Sequence, residues 1–144
     1  MSRSGYNDDC EQWDLIRWRG AVASAIRGKR GQDMLKEMLA ALDALPEKRL
    51  ISEELQDEYD SNCVCALGAL GRARGVDMTN IDPDDRETVA AEFDIAHALA
   101  CEIMWENDEG GWRETPESRY FRMRKWIESK IRNAQAAAES SGQS

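Results

Sequence analysis

Four side chains have the types that a metal centre asks for. Cys63-Val64-Cys65 supplies two thiols, and His97 with Cys101, four residues apart on a helical stretch, would project from one face. Three thiolates and one imidazole suit tetrahedral zinc. Two features work against that reading: Cys-x-Cys on a strand sends its side chains to opposite faces, and the chain lacks the second half of a paired Cys-x-x-Cys pattern. The competing reading makes Cys65 and Cys101 small buried apolar groups and His97 an ordinary helix residue. No cofactor is expected.

The same solitary histidine limits nucleophilic catalysis. A reactive thiolate needs an electropositive setting or a helix N-terminus, and the surroundings of Cys63, Cys65 and Cys101 are rich in Asp and Glu. Adjacent acids occur at Glu53-Glu54, Asp84-Asp85 and Asp108-Glu109, yet no spacing selects two carboxylates across a cleft. Acids near helix starts act as caps and dipole partners. The stretch Asp82 to Glu87 lacks the glycine and spacing of a calcium loop. No catalytic residue is assigned, and the expectation is a protein that is not an enzyme.

A third kind of chemistry belongs to the turn Arg27-Gly28-Lys29-Arg30-Gly31. Glycines flanking two cations just before a helix could cradle a phosphate, with Arg17 and Trp13 on the same outer face. Arg17, Arg27, Lys29 and Arg30 are therefore the candidate anion-binding residues. The alternative is a glycine turn whose cations are solvated or pair internally. One short basic turn cannot anchor duplex binding against a net charge of −9 at physiological salt.

That net charge sits in one place. Residues 51–110 hold 16 Asp and Glu against 3 Arg, while the flanking segments are close to neutral or basic. A concentrated acidic surface repels polyanions and steers basic partners inward. Glu53, Glu54, Asp57, Glu58, Asp82, Asp84 and Asp85 are the candidate partner-binding residues, and the partner expected is a protein with a basic surface. If the basic turn and the basic last helix neutralise these acids within the fold, the charge map becomes a folding device.

The elements that must position these groups are mainly helical. With 144 residues, 42% of them hydrophobic, the chain supports one core, and only 3 prolines interrupt it. Leu15, Trp18, Val22 and Ile26 stripe a first helix from about Glu11 to Gly28. Met34, Leu35, Met38, Leu39 and Leu42 stripe a second, from about Gln32 to Leu45, stopped by Pro46. Residues 48–66 fit either a helix lined by Leu50, Ile51, Leu55 and Tyr59 or a short β-hairpin pairing residues 49–53 with 62–66. A glycine-faced helix covers Ala66 to Arg74, and close approach of another backbone would offset the cost of Gly68 and Gly71. Asp82-Pro83 reads as a helix start leading through Val89 and Phe93, and Ile95 to Glu106 reads as the central buried helix. Thr115-Pro116-Glu117 opens the last one, striped by Tyr120, Met123, Ile127 and Ile131.

The expected fold is therefore a compact, mainly α bundle of five or six helices over residues 1–132, with at most that one hairpin. Residues 133–144 are expected to form a flexible tail. Cys10, Cys63, Cys65 and Cys101 are expected as reduced thiols, and with neither an apolar leader nor a span-length apolar run, the expected setting is the cytoplasm, without membrane.

Six blocks occur in order: Ser4-Gly5-Tyr6, Ile16 to Gly20, Ile26 to Gln32, Cys65 to Gly75, Glu106 to Glu109, and Thr115-Pro116-Glu117. With these the chain resembles small accessory proteins encoded in tailed phages and prophages, over most of residues 3–132. The resemblance implies a genomic setting and favours interaction over metabolism; it carries no site residue across. Joined to the charge map, it gives the expectation of a non-enzymatic binding protein acting through acidic patches, one version being an inhibitor of a host antiviral or nucleic-acid-handling complex. The alternatives are a nucleic-acid-associated regulator using residues 27–31, or a small zinc protein or enzyme centred on Cys65, His97 and Cys101.

Overall fold

The computed structural model describes residues 12–142, with side chains from 16 to 131. Cys10 and the side chains of Trp13, Leu15 and the expected tail lie outside the described residues. Among the described residues the architecture is six α-helices and no strand: α1 (Gln12–Arg27), α2 (Lys29–Asp43), α3 (Ala66–Arg74), α4 (Arg86–Glu92), α5 (His97–Glu109) and α6 (Pro116–Gly142). The mainly α expectation holds. The backbone of α6 continues past residue 133, where sequence composition expects a tail.

Helices α1 and α2 are separated by Gly28 alone, so the expected turn over residues 27–31 is tighter than its sequence suggests. The tightness depends on Gly31, where a Cβ would fall onto the Ala25 carbonyl oxygen. Val22 and Ile26 from α1 and Met34, Leu35, Met38 and Leu42 from α2 enter one core with Leu99, Ile103 and Met104 of α5. The stripe of α6 joins it through Tyr120, Met123, Ile127 and Ile131. Tyr120 also donates its hydroxyl to the Leu42 carbonyl at 3.0 Å, tying α6 to the end of α2. Lys48 caps the same end, donating to the carbonyls of Asp43 and Leu45.

Residues 48–65 form neither the expected hairpin nor the alternative helix. A single antiparallel bridge joins Gln56 to Val64, and Ile51 donates to the Val64 carbonyl at 2.9 Å, so residues 49–53 never build a ladder. The physical reason is packing. Leu50 and Leu55 are both driven into the core, which breaks the alternation a strand needs, while Tyr59 swings fully outward. Glu53 takes up the bend with φ of 68° and donates its N–H to Asp108 Oδ1 at 2.9 Å.

The expected backbone approach is present at Gly68 of α3, whereas Gly71 faces the side chains of Met78 and Phe93 instead. A Cβ on Gly68 would collide with the Leu55 carbonyl oxygen, so helix and loop backbones touch there. One boundary differs from expectation. Asp85, not Asp82, caps α4, accepting from the Thr88 N–H at 3.2 Å, whereas Asp82 closes the turn before it by accepting from Asp84 N–H at 2.9 Å. The Pro83 ring occupies that turn rather than the first position of the helix.

Candidate functional site

The thiol and imidazole groups do not assemble. Cys65 is buried at the N-cap of α3, where its sulfur accepts the Gly68 N–H at 3.4 Å. Cys101 is buried in α5 with its sulfur 3.8 Å from His97 Nε2, and burial pushes its thiol up to about 11. His97 itself is exposed and meets the Trp18 ring edge-on, 5.8 Å between centroids. Cys63 faces another neighbourhood: Arg49 donates to it at 3.2 Å and it donates to Asp60 at 3.4 Å. Partial burial and that carboxylate raise its pKa, which works against thiolate formation. Among the described residues no three His, Cys, Asp or Glu side chains are grouped to hold a metal ion. The set Cys63, Cys65, His97 and Cys101 is therefore a helix cap, a core thiol with its surface histidine, and a loop thiol.

The basic turn is dispersed as well. Arg17 and Arg27 are exposed, Lys29 pairs with Asp33 at 2.7 Å, and Arg30 stands 3.6 Å from Asp94. The Gly28 and Gln32 amides, which a phosphate cradle would use, donate instead to the carbonyls of Ser24 and Gly28. Arg17 sits on α1, eleven residues before the turn's first glycine, and forms no cluster with it.

Acidic side chains fall into two classes. The first consists of local caps: Asp57 accepts the N–H groups of Tyr59 and Asp60, and Asp60 accepts that of Asn62. Asp77 closes the 3-10 turn Met78–Asn80 through Thr79, and Asp85 closes the start of α4 through Thr88. These bonds favour the charged form, so Asp60, Asp77 and Asp85 are held below the ordinary carboxylate value, Asp60 first through its Asn62 bond. The second class, Glu53, Glu54 and Glu58, is exposed side chain. Among the described residues no ion pair uses any of Glu53, Glu54, Asp57, Glu58, Asp82, Asp84 or Asp85. No hydrogen bond or ion pair there links the 53–60 stretch to the 82–85 stretch either.

The internal neutralisation happens elsewhere, at the corner where α5 and α6 meet. Arg122 donates to Glu114 at 2.5 Å and 2.9 Å, to Glu106 Oε1 at 3.0 Å and to the Glu106 carbonyl at 2.7 Å. Arg119 donates to the carbonyls of Asn107 and Leu50, each at 3.0 Å. Fully buried Asn107 accepts the Ala66 N–H at 3.1 Å and donates to Ile51 O and Asp108 Oδ1, each at 2.9 Å. Arg119 and Glu114 are only 12% and 9% exposed, so they are structural rather than solvated. Burial raises the pKa of Glu106. Every polar group in this corner answers another or a backbone carbonyl, which makes it a clamp between α5, α6 and residues 50–66, not a reactive site. A signal was available: Asn107 interrupts an otherwise apolar face of α5, and a buried amide must find partners.

What the clamp positions is the tip of the 56–64 loop. Tyr59 stands 91% exposed there between Glu58 and Asp60, and the Asp57 N–H to Cys63 carbonyl bond at 2.8 Å closes the loop beneath it. Arg72 braces its far side, donating to the Ser61 carbonyl at 3.2 Å and to Asn62 Oδ1 at 2.6 Å.

Compared with known protein families, curated proteins and solved structures, the chain matches none. No described helix is long and apolar enough to cross a membrane.

Proposed function

We propose that the protein is a non-enzymatic binding module that docks a basic protein surface through its acidic loops. One observation carries the reading: Arg119, Arg122 and Arg124 of α6 and Lys29 of α2 engage Glu106, Glu114, Asp43 and Asp33, none of them an acid of the 53–60 or 82–85 stretch, and Glu53, Glu54, Glu58, Asp82 and Asp84 face outward. Carboxylates on a braced loop steer a basic partner, and an exposed tyrosine beside them supplies an aromatic anchor of the type that dominates binding energy. Together with the resemblance to accessory proteins of tailed phages and prophages, this favours a protein that occupies a phosphate-binding groove of a host antiviral or nucleic-acid-handling complex.

The test is capture from a host lysate with the parent chain and with a variant carrying Gln or Asn at Glu53, Glu54, Asp57, Glu58, Asp82, Asp84 and Asp85. The parent retains a basic protein whose binding weakens as salt rises, and the variant does not. Equal retention by both chains would sink the acidic docking mechanism.

A further inference from the structure

Between the α1–α2 turn and the start of α5 lies a cavity of about 150 Å³ walled by Ala25, Gly28, Gly31, Ile95, Ala96 and Leu99, with Arg30 as its charged lining residue. The walls are mostly apolar, and about 150 Å³ is the volume of a cavity that takes up a benzene-sized group. Its shape is held by backbone rather than by long side chains, because Gly31 packs directly on the Ala25 carbonyl.

Arg30 gives this space a sign. Its side chain is 62% exposed, and its contact with Asp94, itself 84% exposed, is a long 3.6 Å, so solvent screens the pair and the guanidinium keeps donors to offer. The other charged groups around Arg30 are Asp33, Glu37, Asp94 and Arg74, and Glu37 is held by Arg74 at 2.6 Å. Asp33 is engaged by Lys29 at 2.7 Å, and Arg27 adds a further exposed cation on the same turn. Gly28 and Ala96, which open α2 and α5, both line this cavity, and neither provides a side-chain cap.

The geometry points to a binding site for a small aromatic carboxylate, its ring in the cavity and its carboxylate on the Arg30 guanidinium. The walls explain the ring and the guanidinium explains the acid. A bare phosphate satisfies the second requirement only, which separates this site from a nucleic-acid contact at the basic turn. None of its residues belongs to the acidic loops, so it stands apart from the docking reading.

Benzoate, benzyl alcohol and inorganic phosphate titrated into the full chain, followed by amide chemical shifts, provide the test. Benzoate gives saturable shifts centred on residues 25–31 and 95–99. Removing the charge from the ligand, with benzyl alcohol, or from the protein, with Arg30→Gln, weakens binding about tenfold, the scale of one lost charge-assisted hydrogen bond. Phosphate fails to displace benzoate. The exposed position of Arg30 keeps Arg30→Gln folded, and a thermal melt matching the parent verifies it. The assignment is overturned by non-saturable benzoate shifts, by shifts centred elsewhere, by phosphate competing on equal terms, or by unchanged affinity in Arg30→Gln.

Discussion

Two regions of this molecule hold the same kinds of side chain and use them in opposite ways. At the corner of α5 and α6, Glu106 and Glu114 meet Arg119 and Arg122, and the leftover guanidinium donors reach backbone carbonyls. In the 53–60 loop, Glu53, Glu54 and Glu58 meet solvent. The difference lies in what surrounds the charge. Carboxylates that are mostly buried need partners because desolvation is expensive, whereas exposed ones need none and exert their field on whatever approaches. A net charge read from composition sums over both, so it says little until the two are separated.

The largest expected effect comes from unseating the loop. Gly68→Ala places a methyl group on the Leu55 carbonyl and separates α3 from residues 50–55; a loss of about 3 kcal/mol or more in urea unfolding is expected. A loss below about 1 kcal/mol would show that the backbone contact is soft. Next, Arg122→Met removes the clamp's centre, strands Glu106 and leaves Glu114 only the Arg119 contact at 3.6 Å. Because Arg122 is 23% exposed, the full penalty of a broken buried pair is discounted to about 2–3 kcal/mol, measured the same way.

Acid titration distinguishes the exposed capping acids from the α5–α6 corner by sign. Asp60, Asp77 and Asp85 have folded pKa values below the ordinary 3.8, so their contribution is present above 3.8 and is lost as pH falls through the folded values. Glu106 runs the other way: with its folded value raised above 4.5, stability rises as pH falls through that raised value toward 4.5. Unfolding curves collected across this range should therefore show a shallower acid limb for Asp85→Asn, and for Glu106→Gln the loss of the rise above pH 4.5. Identical profiles for both variants and the parent would remove the assignment. The smallest effect belongs to the triple variant Glu53→Gln, Glu54→Gln, Glu58→Gln. Stability should stay within about 0.5 kcal/mol of the parent while partner capture falls; a large stability change would mean that these carboxylates serve the fold.

Periodicity made the helices legible. The stripes of α2 and α6 and the bounds of α3 follow from spacing, glycine placement and proline, which are local signals. Residues 48–65 were not legible, because their conformation is set by distant partners: Asn107, Arg119 and the Gly68 backbone determine where Leu50, Ile51 and Leu55 go. The start of α4 was misplaced because Asp82 and Asp85 carry equally good capping side chains, and local sequence does not rank them. The seven candidate acids are identifiable by type, yet only the fold separates those that cap their own backbone from those that do not. Tyr59 illustrates the limit, since its spacing from Leu55 suits a buried helix face and its actual place is outside.

The close seat of Gly68 on Leu55 and the anchoring of Ile51 by Asn107 bear on the thermodynamics of association. The segment that leads into the 56–64 loop, held at Ile51 and Leu55, has already lost its backbone freedom before any encounter. The docking proposed at Tyr59 would then forfeit little further conformational entropy, and contact area there would convert to affinity with a smaller ordering cost than a floppy loop of equal length would incur.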